Sequence, residues 1–232
     1  IAVSPAWGID ELPSNLSSIS LDSGLITTID EALPETSQVD ASFLNPSYDP
    51  NIYLSEDAQI AVTFIDEGAG YRNSLGYFNF EADSFDGLTF GIIDNNSNGN
   101  ISLDELNAVE GVSSGLIFAN FSETGGGGLL NAGDTTVIGD GSAAMQGDTL
   151  LMEGGTVFSA GTTTGFFVMA NAWDGSGVKS IDQPGDPNLY FSLDFLNPEN
   201  NAFAVLENPD EVSRHTAMMF ATDASQEIIV GF

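Results

Sequence analysis

From residue 59 onward, short apolar runs alternate with clusters of turn-forming residues. Residues 60–65 (Ile-Ala-Val-Thr-Phe-Ile) are β-branched and continuously apolar, which predicts a buried strand. Similar runs at 77–80, 88–93, 116–118, 135–138, 165–170, 189–193, 216–221 and 227–231 predict further strands. Between them stand a run of glycines at 125–128, Asp140-Gly141, and the Asp-Gly-Ser-Gly of 174–177. Glycine, Asp and Asn at such spacing form tight turns. Many short strands with turn signals between them predict an all-β fold, an antiparallel β-sandwich of jelly-roll type. One short helix is expected over 102–109. Residues 1–58, rich in Ser, Pro and Asp, are expected to be a partly irregular N-terminal arm with short strands or turns such as 24–29. Residues 59–232 are expected to form the sandwich domain.

Composition adds weight to a folded reading. The chain has 232 residues, 42% hydrophobic and 10% aromatic, with 16 Phe, enough to fill a core. Its 34 acidic residues against 3 basic ones give a net charge of −31. That surface repels phosphate, so nucleic acid and anionic membrane are not expected partners. It also repels itself, a strain that divalent cations or high salt relieve. The absence of Cys removes disulfides, thiolate metal sites and cysteine nucleophiles. No apolar run is long enough to span a bilayer, so no membrane insertion is expected. A start at Ile1 instead of Met is consistent with removal of a signal peptide, and a sequence cut at an arbitrary boundary would look the same.

One segment carries specific chemistry. Residues 94–105 fill the key positions of the twelve-residue EF-hand calcium loop. Asp94, Asn96 and Asn98 occupy the first, third and fifth positions. Gly99 supplies the left-handed turn at the sixth. Asn100 offers its carbonyl at the seventh, Ile101 anchors the eighth in the core, and Ser102 acts directly or through water. Glu105 binds bidentate from the first turn of the following helix. The segment before the loop, 85–93, reads as strand, so a strand–loop–helix clip is expected instead of a sensor pair. With only Asp94 and Glu105 as charged ligands, calcium affinity is expected in the extracellular range of roughly 10⁻⁴–10⁻³ M. Such a site serves as a structural staple.

Other residues are weighed against simpler roles. Asp66 and Glu67 could form a second cation site, but an internal Glu67–Arg72 pair across the turn is expected. His215 beside Arg214 lacks the partners of a catalytic triad and is expected to be structural. Asp134, Asp140, Asp148 and Asp174 sit in Gly-rich loops and could bind calcium, but Asp-Gly turns need no metal. Trp173, Tyr48, Tyr53 and Tyr190 could stack on sugars or fill core and turns. No catalytic residue and no enzymatic activity are expected.

Residues 62–78 (Val-Thr-Phe-Ile-Asp-Glu-Gly-Ala-Gly-Tyr-Arg-Asn-Ser-Leu-Gly-Tyr-Phe) resemble the LruC-type domain, which overlaps the domain of unknown function 4114. Further similarities follow in order at 117–122, the Gly-rich run to Leu129, Gly133-Asp134-Thr135, 160–162, 165–167, Asn171-Ala172-Trp173, His215-Thr216 and 229–232. The resemblance covers roughly 35–232 and implies a β-rich module of exported bacterial surface and matrix proteins, without established catalysis. In that family an acidic final strand follows the Gly-Phe pair, here Gly231-Phe232. Either the sequence is cut short at Phe232 or the mature protein lacks that strand; the second case would leave a sheet edge open for another copy, with residues 18–29 as the added strand. The expected function is a calcium-binding structural or adhesive protein of the cell surface or extracellular matrix, partnered by itself in filaments or by surface glycans. The alternative is a calcium-stabilised carbohydrate-binding module.

Overall fold

The computed structural model describes residues 11–13, 15–32, 49–68, 70–138, 142–146, 149–153, 156–179, 189–197, 217–220 and 228–231. The described elements are mostly antiparallel β-sheets with few helices, an all-β fold. Its centre is a pair of long strands, β4 (Ser74–Glu81) and β9 (Thr162–Met169), in register from Ser74 opposite Met169 to Glu81 opposite Thr162. Both are rich in aromatic and β-branched residues, which pack well on a pleated surface. Two of the cross-strand partners are glycine against phenylalanine. Phe167 lies over Gly76 and Phe78 over Gly165, so closely that a Cβ at either glycine would overlap the ring.

The outer edge of β4 pairs with β5 (Ser113–Phe118). The outer edge of β9 is shared by β2 (Ile52–Tyr53) and β10 (Leu189–Phe191). A second sheet has the order β1 (Ser17–Ser18), β6 (Asp134–Val137), β3 (Ala61–Thr63). Two further antiparallel pairs are β7 (Ser142–Gln146) with β8 (Thr149–Glu153), and β11 (Ala217–Phe220) with β12 (Ile228–Gly231).

Alternation along β4 and β9 sends side chains to two buried clusters, one on each face of the five-stranded sheet. Phe78, Phe167, Met169 and Phe191 join Ile93, Ile101, Leu103 and Leu106 in the first. Leu75, Phe166 and Val168 join Ile60, Phe64 and Ile138 from around the second sheet. The register of β4 against β5 shifts between Leu75 and Gly76, leaving Ile117 as an extra residue. The bulge turns both Ile117 and Phe118 toward the second cluster. Each such side chain buried contributes about 1.5–3 kcal/mol.

Two sequence expectations are corrected. Residues 88–93 are not a strand: Phe90–Ile93 form a helical turn, α2. Phe90 and Ile93, three apart, both pack on the first cluster, while Ile92 is 56% exposed. A single apolar face, with no strand among the described residues pairing to complete its hydrogen bonds, favours helix. Residues 24–29 lie within α1 (Ser23–Ala32), whose start is capped by Asp22 accepting from the N–H of Gly24 at 2.9 Å and Leu25 at 3.0 Å. The expected helix over 102–109 is present as α3 (Leu103–Asn107).

The arm joins the sheets of its own chain. Ser17 and Ser18 pair with Thr135 and Asp134, and Leu12 and Leu16 pack on the second cluster. Ser18 is therefore already paired, and from Ser23 the segment expected to add to another copy is helical.

Candidate metal centre

The loop 94–105 hangs between α2 and α3. Asp94 ends α2, its N–H donating to Phe90 O at 2.8 Å. Ser97, at φ 56°, and Gly99, at φ 86°, both take the left-handed conformation, which curls the backbone tightly. Open space surrounds the Cβ position of Gly99, so its backbone angle, not crowding, is what favours glycine there.

The donor side chains are held by the loop's own amides. Asp94 Oδ1 accepts from Asn98 N–H at 3.1 Å, and Oδ2 accepts from Gly99 N–H at 2.9 Å. Asn96 Oδ1 accepts from Asn98 N–H, and Asn98 Oδ1 from Asn100 N–H, each at 2.9 Å. Glu105 reaches back across the loop. Its Oε1 accepts from Asn95 N–H at 2.9 Å and Asn96 N–H at 3.3 Å. Its Oε2 accepts from the Ser102 N–H at 2.9 Å and the Ser102 hydroxyl at 3.0 Å. The structure thus gathers Asp94, Asn96, Asn98 and Glu105 around one backbone ring.

Ser102 is the N-cap of α3, and its Oγ accepts from Glu105 N–H at 3.1 Å, completing a capping box. Its hydroxyl is committed to Glu105, which makes it a positioning residue in this arrangement. Ile101 and Leu103, on either side of it, are buried in the first core cluster. The loop is fastened to the fold from both ends, by Ile93 and by Ile101.

Charge tests whether a cation suits the ring. Asp94 is 5% exposed and Glu105 7%, and no Lys or Arg occurs anywhere between Arg72 and Lys179. Two buried carboxylates are costly without counter-charge, even with amide donors. Among the described residues no three His, Cys, Asp or Glu side chains gather as a metal cluster. The donor set is two carboxylates with amide oxygens, hard oxygen ligands suited to calcium and not to zinc or copper. Asp94, Asn96, Asn98, the Asn100 carbonyl and Glu105 would hold such an ion.

Sequence reading missed the helical turn before the loop and the role of Asn95, whose N–H holds Glu105. The three-residue spacing of Phe90 and Ile93 behind Thr89, a residue type favoured at helix starts, was the available signal for α2.

The other candidates take different places. Asp134 is buried and accepts from Asn131 N–H at 2.8 Å and from the Ser18 hydroxyl, closing the turn into β6. Asp174 accepts from Ser176 N–H at 2.8 Å, the Ser176 hydroxyl at 2.8 Å and Gly177 N–H at 3.0 Å. Hydrogen bonds from Ser176, above all from its backbone N–H, hold the Asp174 carboxyl below the usual 3.8, with Gly177 and the charge of Lys179 adding to the effect. Trp173 is 4% exposed, a core residue and no sugar platform. Tyr53 is exposed and Tyr190 half-buried. Glu67 is buried while Arg72 is exposed against other turns, so the expected Glu67–Arg72 pair does not set this corner. Tyr48, Asp140, Asp148, Arg214 and His215 lie outside the described residues. No described helix is long and apolar enough to cross a membrane.

Comparison with known proteins returns no match to this chain from family models, curated proteins or solved structures.

Proposed function

We propose that this chain is a calcium-stapled module of an exported protein, serving a structural or adhesive role at the cell surface or in the extracellular matrix. The observation that carries this reading is the ring 94–105, where backbone amides orient Asp94, Asn96, Asn98 and Glu105 with no basic side chain nearby in sequence. A helical turn on each side makes it closer to a helix–loop–helix calcium hand than the sequence alone suggests. The ion would supply charge neutralisation and tie α2 to α3, and with them one face of the central sheet. Weak affinity suits millimolar calcium outside the cell. The ordered resemblance to LruC-type surface and matrix proteins supports the same setting. Two sheets sharing one apolar cluster support a sandwich of jelly-roll type as the finer description.

The carbohydrate-binding alternative draws less support. Tyr53 and Tyr71 are exposed, but Tyr53 lies beside the Thr163 end of β9 and Tyr71 just before the opposite end of β4. They do not share one sheet face as a stacking platform.

Calorimetric titration of the intact chain with calcium, with magnesium as control, tests the reading. One calcium bound with millimolar or submillimolar affinity, and a melting temperature lowered by chelator, are expected. No heat with calcium and an unchanged melting temperature would end it.

A further inference from the structure

Two of the chain's three basic residues stand at the same end of its central sheet. Arg72 precedes Ser74, the first residue of β4, and Ser74 pairs with Met169, the last residue of β9. Lys179 lies in the excursion after β9. The two are tied through one loop: Trp173 N–H donates to Arg72 O at 3.0 Å, and Lys179 N–H to Ala172 O at 2.8 Å. The Lys179 ammonium is spent on Asn171 O, at 2.8 Å, and feels the charge of Asp174.

Arg72 is not spent in this way. Its guanidinium is exposed, and among the described residues no carboxylate forms an ion pair with it, in a chain holding 34 of them. Asp66 and Glu123, on neighbouring turns, are exposed as well. The head lies between two turns built from glycine. A methyl group at Gly127 would stand 3.2 Å from Nε, and one at Gly175 3.5 Å from Nη1. Both glycines have positive φ, 107° and 96°, so the turns pass beside the guanidinium without side chains to cover it. Trp173 pins the backbone beneath. An exposed, framed guanidinium presents its fork to a carboxylate at low entropic cost.

The chain itself offers the complement. The segment from Glu81 to Glu110 leaves β4 at the end opposite Arg72 and holds acidic side chains without a single Lys, Arg or His. Asp83 and Asp86, on its first turn, are exposed and lie outside the loop 94–105. We propose that Arg72 is a docking point for a second copy of this chain, engaging Asp83 and Asp86 of that copy in a head-to-tail contact. The two surfaces differ and lie toward opposite ends of one strand, so the contact leaves a free surface at each end of the pair and can repeat. Repulsion between copies opposes it at low salt and is screened at moderate ionic strength. This contact does not depend on calcium binding at 94–105.

Sedimentation equilibrium of the intact chain at moderate salt tests it, in calcium and in chelator. Concentration-dependent mass is expected for the parent chain. Arg72→Glu, and separately Asp83→Arg with Asp86→Arg, should each weaken association about tenfold or more. Mixing the two variants should restore it, because the swapped charges meet again. Circular dichroism confirms that each variant is folded, and restoration on mixing separates a lost contact from a lost fold. A monomeric parent at all concentrations overturns the proposal, as does unchanged mass in Arg72→Glu or failure of the mixture to associate. If Arg72→Gln instead loses only binding of an oligouronate, the partner is an acidic glycan and the proposal is wrong. Association without any calcium binding would remove the metal reading and leave this one standing.

Discussion

Ser102 and Glu105 hold each other from both directions. The Ser102 hydroxyl accepts the backbone N–H of Glu105 at 3.1 Å, while Glu105 Oε2 accepts the Ser102 N–H at 2.9 Å and its hydroxyl at 3.0 Å. The other carboxylate oxygen meets the N–H of Asn95 at the start of the loop. One side chain therefore caps α3 and closes the ring at the same time. The two roles separate by substitution. Ser102→Ala removes the cap and should cost about 1 kcal/mol without calcium, read by urea unfolding in chelator. Glu105→Gln keeps most of the shape but loses the charge, so it should abolish most of the stabilisation that calcium adds. For an affinity of roughly 10⁻⁴–10⁻³ M, about 10 mM calcium should add about 1.4–2.7 kcal/mol to the parent chain. Equal calcium stabilisation of parent and Glu105→Gln would show that the ring is not the binding site.

Asn98 occupies the fifth ring position as a neutral amide, its Oδ1 turned back to Asn100 N–H. Asn98→Asp adds a third carboxylate without changing size. Calcium affinity should rise about tenfold, while stability in chelator falls, because Asp94 and Glu105 then face another like charge. Calorimetry and melting in chelator give the two numbers. Affinity that stays level or drops would remove Asn98 from the ligand set.

Ile101 couples the ring to the core, being buried beside Leu106 and Phe78 in one cluster. Ile101→Ala should cost about 2–5 kcal/mol and weaken calcium binding together, since the loop loses its anchor. Ile101→Val, a smaller loss of about 0.5–1.5 kcal/mol, should leave affinity nearly intact. A large drop in stability with unchanged calcium affinity in both variants would show that ring and core are uncoupled.

Asp174 supplies a pH test outside the loop 94–105. Its turn hydrogen bonds favour the charged form and hold the folded carboxyl below 3.8. Stability from this turn is fully present above the unfolded value and is lost as pH falls through the lower folded one. Nuclear magnetic resonance titration of the Asp174 side chain should give a midpoint below that of Asp in a model peptide. A midpoint at or above it would mean that the turn does not form in solution.

Local chemistry made the tight loop 94–105 legible in the sequence, because its hydrogen-bonding side chains are close neighbours along the chain and its turn needs a glycine at one place. Strands over 60–65, 77–80, 116–118, 135–138 and 165–170 were legible for a related reason: β-branched and aromatic runs bounded by turns bury well only as extended chain. Tertiary contacts decided what neighbours in sequence do not specify. Residues 88–93 are as apolar as the strands, yet no described strand pairs with them and only one face meets the core, so Phe90–Ile93 coil. Asp22 caps α1 in a stretch whose weak periodicity gave no reason to expect a helix. The arm's pairing with β6 joins Ser18 to Asp134, a match that separation along the chain hides. Arg72 shows the same division most plainly. Sequence proximity suggested Glu67 as its partner, but Trp173 and the glycine turns at Gly127 and Gly175 set where the guanidinium lies, because a long side chain follows the surface that packing leaves open.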